Sequence, residues 1–195
     1  MTANRPCPSP DLLAAKALVY DPCGFVWSQP VPEAEGADYA AQTLTLDGLR
    51  IRFREARTTP TKVGQFVTVW KRSAAGPIQP FDDTDPVDLF VISSRDQGHF
   101  GQFVFPLDAL RAQGVVSTNG SGGKRAFRVY PPWVTTTNRQ ADKAQSWQVE
   151  FFLPLYENED GVGDGVGDGD GDGTGPRDLA RARQLYRRGA AREVQ

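Results

Sequence analysis

Histidine, cysteine and methionine are scarce in this 195-residue chain, which has one His, two Cys and one Met. His99 alone cannot build a His-rich zinc or iron centre, and Cys7 and Cys23 lack the CxxC pairing of a structural zinc site. Two cysteines in a chain of this length do not make a disulfide scaffold, so a reducing cytoplasm is the expected compartment. No run approaches the roughly 18 apolar residues of a membrane helix. Prolines interrupt the first thirty residues, where an export signal would need a basic stretch and then an apolar one. An excess of either charge is missing too, since 22 Lys+Arg against 24 Asp+Glu leave a net charge of −2. The patterns GxSxG, HExxH and GxGxxG do not occur.

The balance in the total conceals local asymmetry. Residues 157–175 read ENEDGVGDGVGDGDGDGTG, with seven acids, no base and no aromatic. Such a stretch has no apolar area to offset its ordering entropy and is expected to be a flexible acidic linker. Residues 176–195 follow as a basic, Arg-rich helical tail. Residues 1–156 are then the single folded domain, large enough to bury roughly 70% of its unfolded surface. Inside it, residues 50–72 hold seven bases (Arg50, Arg52, Arg54, Arg57, Lys62, Lys71, Arg72) against Glu55. Residues 111–143 hold six (Arg111, Lys124, Arg125, Arg128, Arg139, Lys143) against Asp142. If these two segments fold side by side, they form one positive surface that the net charge hides.

The elements follow from periodicity and punctuation. Pro10-Asp11 before LLAAKALVY predicts a helix that stops at Asp21-Pro22, and a second short helix is expected over Glu33–Ala41. Thr43–Leu46 and Leu49–Arg54, joined by Asp47-Gly48, predict a hairpin with a type I′ turn. Gln65–Lys71, Asp88–Ser93, Gly101–Phe105 and Lys124–Tyr130 read as strands. Leu107–Gln113 reads as a short helix closed by Gly114, and a last helix runs from Thr137 or Asn138 to about Phe152. The sum is an α/β or α+β fold with a mixed central sheet of about five strands flanked by helices. In Leu49–Arg54 alternation sets Arg50, Arg52 and Arg54 in a row opposite Leu49, Ile51 and Phe53, about 7 Å apart.

Several motifs come close to a chemistry and miss. Asn119-Gly-Ser-Gly-Gly-Lys124-Arg125 resembles part of a phosphate-binding loop, but Thr118 stands at its first glycine and Arg125 at its Ser/Thr. Asp168-Gly-Asp170-Gly-Asp172-Gly173 copies half a calcium loop without its closing Glu. His99 has no nucleophile at a recognisable spacing and reads as a turn or surface residue. Asp85-Pro86-Val87-Asp88 before one strand and Gly101–Val104 on the next are spaced like the acids and lysine of a metal-dependent nuclease. Gln102 replaces the second acid and Val104 the lysine, so Mg²⁺ or Mn²⁺ would have Asp88 with at most Glu33 or Glu35. Glu55-Ala56-Arg57 with Asp47 is weaker still, because arginine cannot act as a base.

Longer stretches carry a resemblance. Arg52 to Arg72 (RFREARTTPTKVGQFVTVWKR), Asp85-Pro86-Val87-Asp88, Gly101–Pro106 (GQFVFP), Gly123–Trp133 (GKRAFRVYPPW) and Trp147-Gln148 are similar to the MepB family of small bacterial proteins. The similarity runs from about residue 35 to 153. It implies a restriction-endonuclease-like PD-(D/E)xK core with degenerate catalytic positions (Asp88, Gln102, Val104), no required cofactor, and nucleic-acid binding.

The expected function is therefore that of a cytoplasmic protein binding RNA or single-stranded DNA rather than duplex DNA, with no membrane partner. Arg50, Arg52, Arg54, Lys62, Lys71, Arg72, Lys124 and Arg128 would meet phosphates, and Tyr130 or Trp133 would stack bases. The alternatives are a metal-dependent nuclease with a rearranged site, and a protein-interaction or regulatory module of a stress or resistance operon.

Overall fold

A computed structural model describes residues 8–73, 76–155 and 178–192. The acidic 157–175 segment, its half calcium loop and Cys7 lie outside the described residues. Ser9 is the N-cap of the first helix, its hydroxyl accepting the Leu12 N–H at 3.0 Å, with Pro10 at the first helical position. Helix α1 (Pro10–Ala15) passes through a π-helical turn (Lys16–Tyr20) into α2 (Asp21–Cys23), and Gly24 at φ 73° ends it.

After β1 (Val31–Pro32) the expected helix over Glu33–Ala41 does not form. Gly36 (φ 84°) and Ala40 (φ 47°) both take the left-handed conformation, which leaves one 3₁₀ turn at Ala37–Tyr39. The predicted hairpin is present as β2 (Gln42–Leu46) and β3 (Leu49–Glu55), with Asp47 (φ 49°) and Gly48 (φ 83°) at the two turn positions. Then come β4 (Arg57–Thr59), β5 (Lys62–Thr68), β6 (Trp70–Arg72), β7 (Ile78–Pro80), β8 (Leu89–Asp96) and β9 (His99–Pro106). They are followed by α3 (Leu107–Ala112), β10 (Ala126–Val129), α4 (Arg139–Gln148), β11 (Phe152–Pro154) and α5 (Leu179–Arg187). The run read as one strand over Gln65–Lys71 is divided between β5 and β6, which belong to different sheets. Helix α4 stops short of Phe152, which opens β11.

The fold is α+β, around a mixed sheet of six strands in the order β1-β2-β3-β8-β9-β11. Only β3 and β8 run parallel, and a parallel pair needs a long crossover. The crossover carries β4 and β5, which join β10 in a three-stranded sheet, and the two-stranded β6-β7. One face of the central sheet presents Leu44, Ile51, Phe53, Leu89, Val91 and Val104 to α1 and α5. The other presents Phe90, Ile92, Phe103 and Phe105 to Val67, Val129, Leu110 and Phe81. Among the described residues no helix is long and apolar enough to cross a membrane.

Helix α5 is part of the first core. Ala182, Leu185 and Tyr186 are buried with Leu12, Ala15 and Val19, and a side chain at Gly189 would lie 2.7 Å from Leu89. The Tyr186 hydroxyl donates to the Tyr20 hydroxyl at 3.0 Å, and Tyr20 donates to Gln102 Oε1 at 3.2 Å. This knot joins the two ends of the described chain to β9. Burial pushes the Tyr20 phenol up to about 12 and Tyr186 well above its ordinary value, against the lowering effect of the hydrogen bonds on Tyr20. The folded state thus holds protons that the unfolded chain releases near pH 10. That stability is complete below about pH 10 and is lost as pH rises toward about 12, roughly 2–3 kcal/mol for Tyr20 alone. Urea midpoints should fall across that window in the native chain and fall less steeply in Tyr20→Phe/Tyr186→Phe, where the half-buried Cys23 thiol, also pushed up, still titrates.

Candidate functional site

The arginine row of β3 exists on one face, as alternation requires, but it is not a free positive surface. Asp88 takes Arg50 bidentately, at 2.9 Å from Nε and 2.7 Å from Nη2. Glu33 clamps Arg54 at 2.7 and 2.8 Å and also meets Arg52 at 3.2 Å. Lys71 is bonded to Asp85, and Arg72 Nε to Glu35 at 2.6 Å. Five bases therefore face four carboxylates, and Arg54, with 2% of its side chain exposed, is closed to any ligand. The same pairs occupy the carboxylates suggested for a metal, Glu33, Glu35 and Asp88, and no cluster of three ligating groups occurs among the described residues. Removing Glu33 strands the buried Arg54 guanidinium. Glu33→Ala should cost about 2 kcal/mol of stability in urea unfolding, whereas Glu35→Ala, at an exposed pair, should cost nothing measurable.

The nuclease-like positions do not meet. Gln102 lies opposite Ser93 in the β8–β9 ladder, five residues along from Asp88, which is about 16 Å at a strand's rise. Gln102 receives the Tyr20 hydroxyl, and Val104 is fully buried, both on the face packed under α1 and α5. Asp88 belongs to the opposite face, with Arg50. The weaker pair fails similarly. Asp47 sits in the β2–β3 turn, where it accepts the Val26 N–H at 2.7 Å, while Glu55 ends β3. Burial, and then the charge of Asp11, push the Glu55 carboxyl up, opposed by Ser9, Arg57 and Arg95.

The glycine-rich loop already holds an anion, its own Asp82. That carboxylate accepts the Ser117 hydroxyl at 2.7 Å, the Gly120 N–H at 2.7 Å and the Thr84 hydroxyl at 2.8 Å. These donors hold Asp82 far below the usual carboxylate range. The backbone amide that would cradle a phosphate is thus engaged.

Where the second basic segment folds, the picture changes. Lys62, Lys124, Arg128 and Tyr130 converge with Lys143 on a groove of about 780 Å³ between β10 and α4. No carboxylate among the described residues lines it, and Lys62, Lys124 and Lys143 are exposed. The construction is specific. Antiparallel pairing sets Arg128 opposite Phe66 of β5. Asn138 caps α4 by accepting the Ala141 N–H, and the buried Gln148 stitches that helix to β10, accepting from Tyr130 N–H at 2.8 Å and donating to Arg128 O at 2.9 Å. Arg128 itself turns inward, donating to Lys62 O, Gly64 O and Thr59 Oγ1 and so holding the β4–β5 turn. At Gly64 φ is 78° and a Cβ would lie 2.6 Å from the Tyr130 ring, so glycine is what lets Tyr130 rest on β5.

Of the residues expected from sequence, four therefore line one groove and five stand in the paired face. Trp133 joins neither. It stacks on His99 at 5.0 Å and 14° and packs edge-on against Phe152. Lys143 and Trp147, missing from the expected set, were present in the sequence as an i,i+4 pair on one helix face.

A family model described as MepB-like matches residues 33–154. Among solved structures, one titled "Crystal Structure of MepB" is 33% identical to this chain, with a TM-score of 0.65, covering 68% of this chain and 89% of that one. No curated protein matches.

Proposed function

The chain belongs to the MepB-like family, and we propose that it is a non-catalytic nucleic-acid-binding protein that holds RNA or single-stranded DNA in the groove between β10 and α4. The observation that supports this is the convergence of three exposed lysines on a groove that no carboxylate among the described residues lines, beside Tyr130 and Trp147. Lysines gathered on one groove attract phosphates, and aromatic rings accept the face of any unpaired base, which favours single strands over duplexes. In this reading the protein binds without cleaving, because Asp88, Gln102 and Val104 do not share a site. The paired arginine face serves stability. Titrating a labelled single-stranded RNA of about 6 nucleotides, short enough to fill the groove alone, over a salt series tests the reading. Three lysine–phosphate contacts predict a log-log slope of about −2, with the RNA left intact in Mg²⁺. Absence of binding at low salt would overturn it.

A further inference from the structure

Helix α5 turns its buried stripe to the core and a basic face to solvent. Arg183, Arg187 and Arg188, with Ala180 and Gln184, surround an open hollow of about 490 Å³ that no carboxylate among the described residues lines. Arg187 and Arg188 are exposed. Arg181 is engaged elsewhere, donating to Phe152 O at 3.0 Å, Glu150 O at 3.1 Å and Val149 O at 3.3 Å. Those carbonyls follow directly on the last residue of α4, so α5 is pinned at the end of the groove's helical wall. The Arg188 guanidinium stands 5.5 Å from the Phe151 ring, and Phe151 packs against Trp147, which lines the groove. Side chains thus lead without a break from Lys143 and Trp147 in the groove across Phe151 to Arg188.

Arginine in the last turn of a helix also offsets the helix dipole, which accounts for Arg187 and Arg188 but not for Arg183 in the middle. The whole helix lies outside residues 33–154, the part of the chain that the family model matches.

We propose that α5 is a second phosphate-binding surface, continuous with the groove, so that a single-stranded nucleic acid long enough to pass Trp147 is held by Arg183, Arg187 and Arg188. The proposal rests on the groove being the primary site. It makes affinity depend on strand length, because a short strand fills the groove alone and a long one also reaches α5.

The test uses the full chain and two oligouridylates, of about 6 and about 20 nucleotides, with native protein and Arg183→Ala/Arg187→Ala/Arg188→Ala. With the long strand the native slope should be about −4. The variant's should be about −2, with affinity about 100-fold lower at 0.1 M salt, from roughly fivefold per contact. With the short strand the two proteins should bind alike. Equal binding of the long strand by both would overturn the second surface and leave the groove reading standing, as would an equal loss on both strands. Failure of the native chain to bind either strand would overturn the groove reading and this proposal with it. If the triple variant melts lower, Arg183→Gln/Arg187→Gln, which leaves Arg188 on Phe151, should lose about 25-fold on the long strand only.

Discussion

Replacing Tyr186 by alanine is expected to lower the unfolding free energy by about 3–5 kcal/mol, the range for emptying a large aromatic site in a core. The side chain is 2% exposed, its ring meets Tyr20 at 5.6 Å and Phe25 at 5.5 Å, and its hydroxyl closes the knot to Tyr20. For a chain of this size the melting temperature should fall by about 10 °C. A loss below about 1 kcal/mol would mean that α5 unfolds separately from the core it covers. The same packing governs how a truncation behaves. A chain ending at Tyr156 loses Ala182, Leu185 and Tyr186 from the first core. Weaker binding by such a chain would then report lost stability as much as lost charge, which is why point substitutions on the outer face of α5 are the better probe.

The second large effect is on binding. Lys124→Ala/Lys143→Ala removes two exposed charges from opposite walls of the groove and should weaken binding of single-stranded RNA about 25-fold at 0.1 M salt, with the melting temperature unchanged. Arg52→Ala and Lys71→Ala make the instructive contrast. Their charges are already met by Glu33 and Asp85, so stability should change more than affinity. If instead these two weaken binding as strongly as the groove pair, the paired face is the interface and the groove is not.

What could be read in the sequence was what local geometry decides. Asp47-Gly48 between two alternating runs specified the hairpin, and the alternation of β3 separated Arg50, Arg52 and Arg54 from Ile51 and Phe53. What could not be read was set by residues far along the chain. Asp88 reaches Arg50 across 38 positions and Glu33 reaches Arg54 across 21, so a segment that looks uniformly basic folds into ion pairs. The nuclease-like spacing failed because the tight β8–β9 turn puts Gln102 opposite Ser93 rather than beside Asp88, a matter of register that composition does not encode. The groove was half legible: Lys124, Arg128 and Tyr130 are neighbours in sequence, whereas Lys62 and Lys143 join them only through β5–β10 pairing and the Gln148 bonds. In α5 the stripe Ala182, Leu185, Tyr186 was present at helical spacing, but a reading by charge passed over it.

Salt-dependent binding of a labelled single-stranded RNA of about 20 nucleotides, by the native chain and by Lys62→Ala/Lys124→Ala/Lys143→Ala, tests the groove most directly. The native chain should bind with a log-log slope of about −4, and the variant should be shallower by about 2 and weaker by about 100-fold at 0.1 M salt. Identical slopes and affinities for the two proteins would contradict the assignment of the groove.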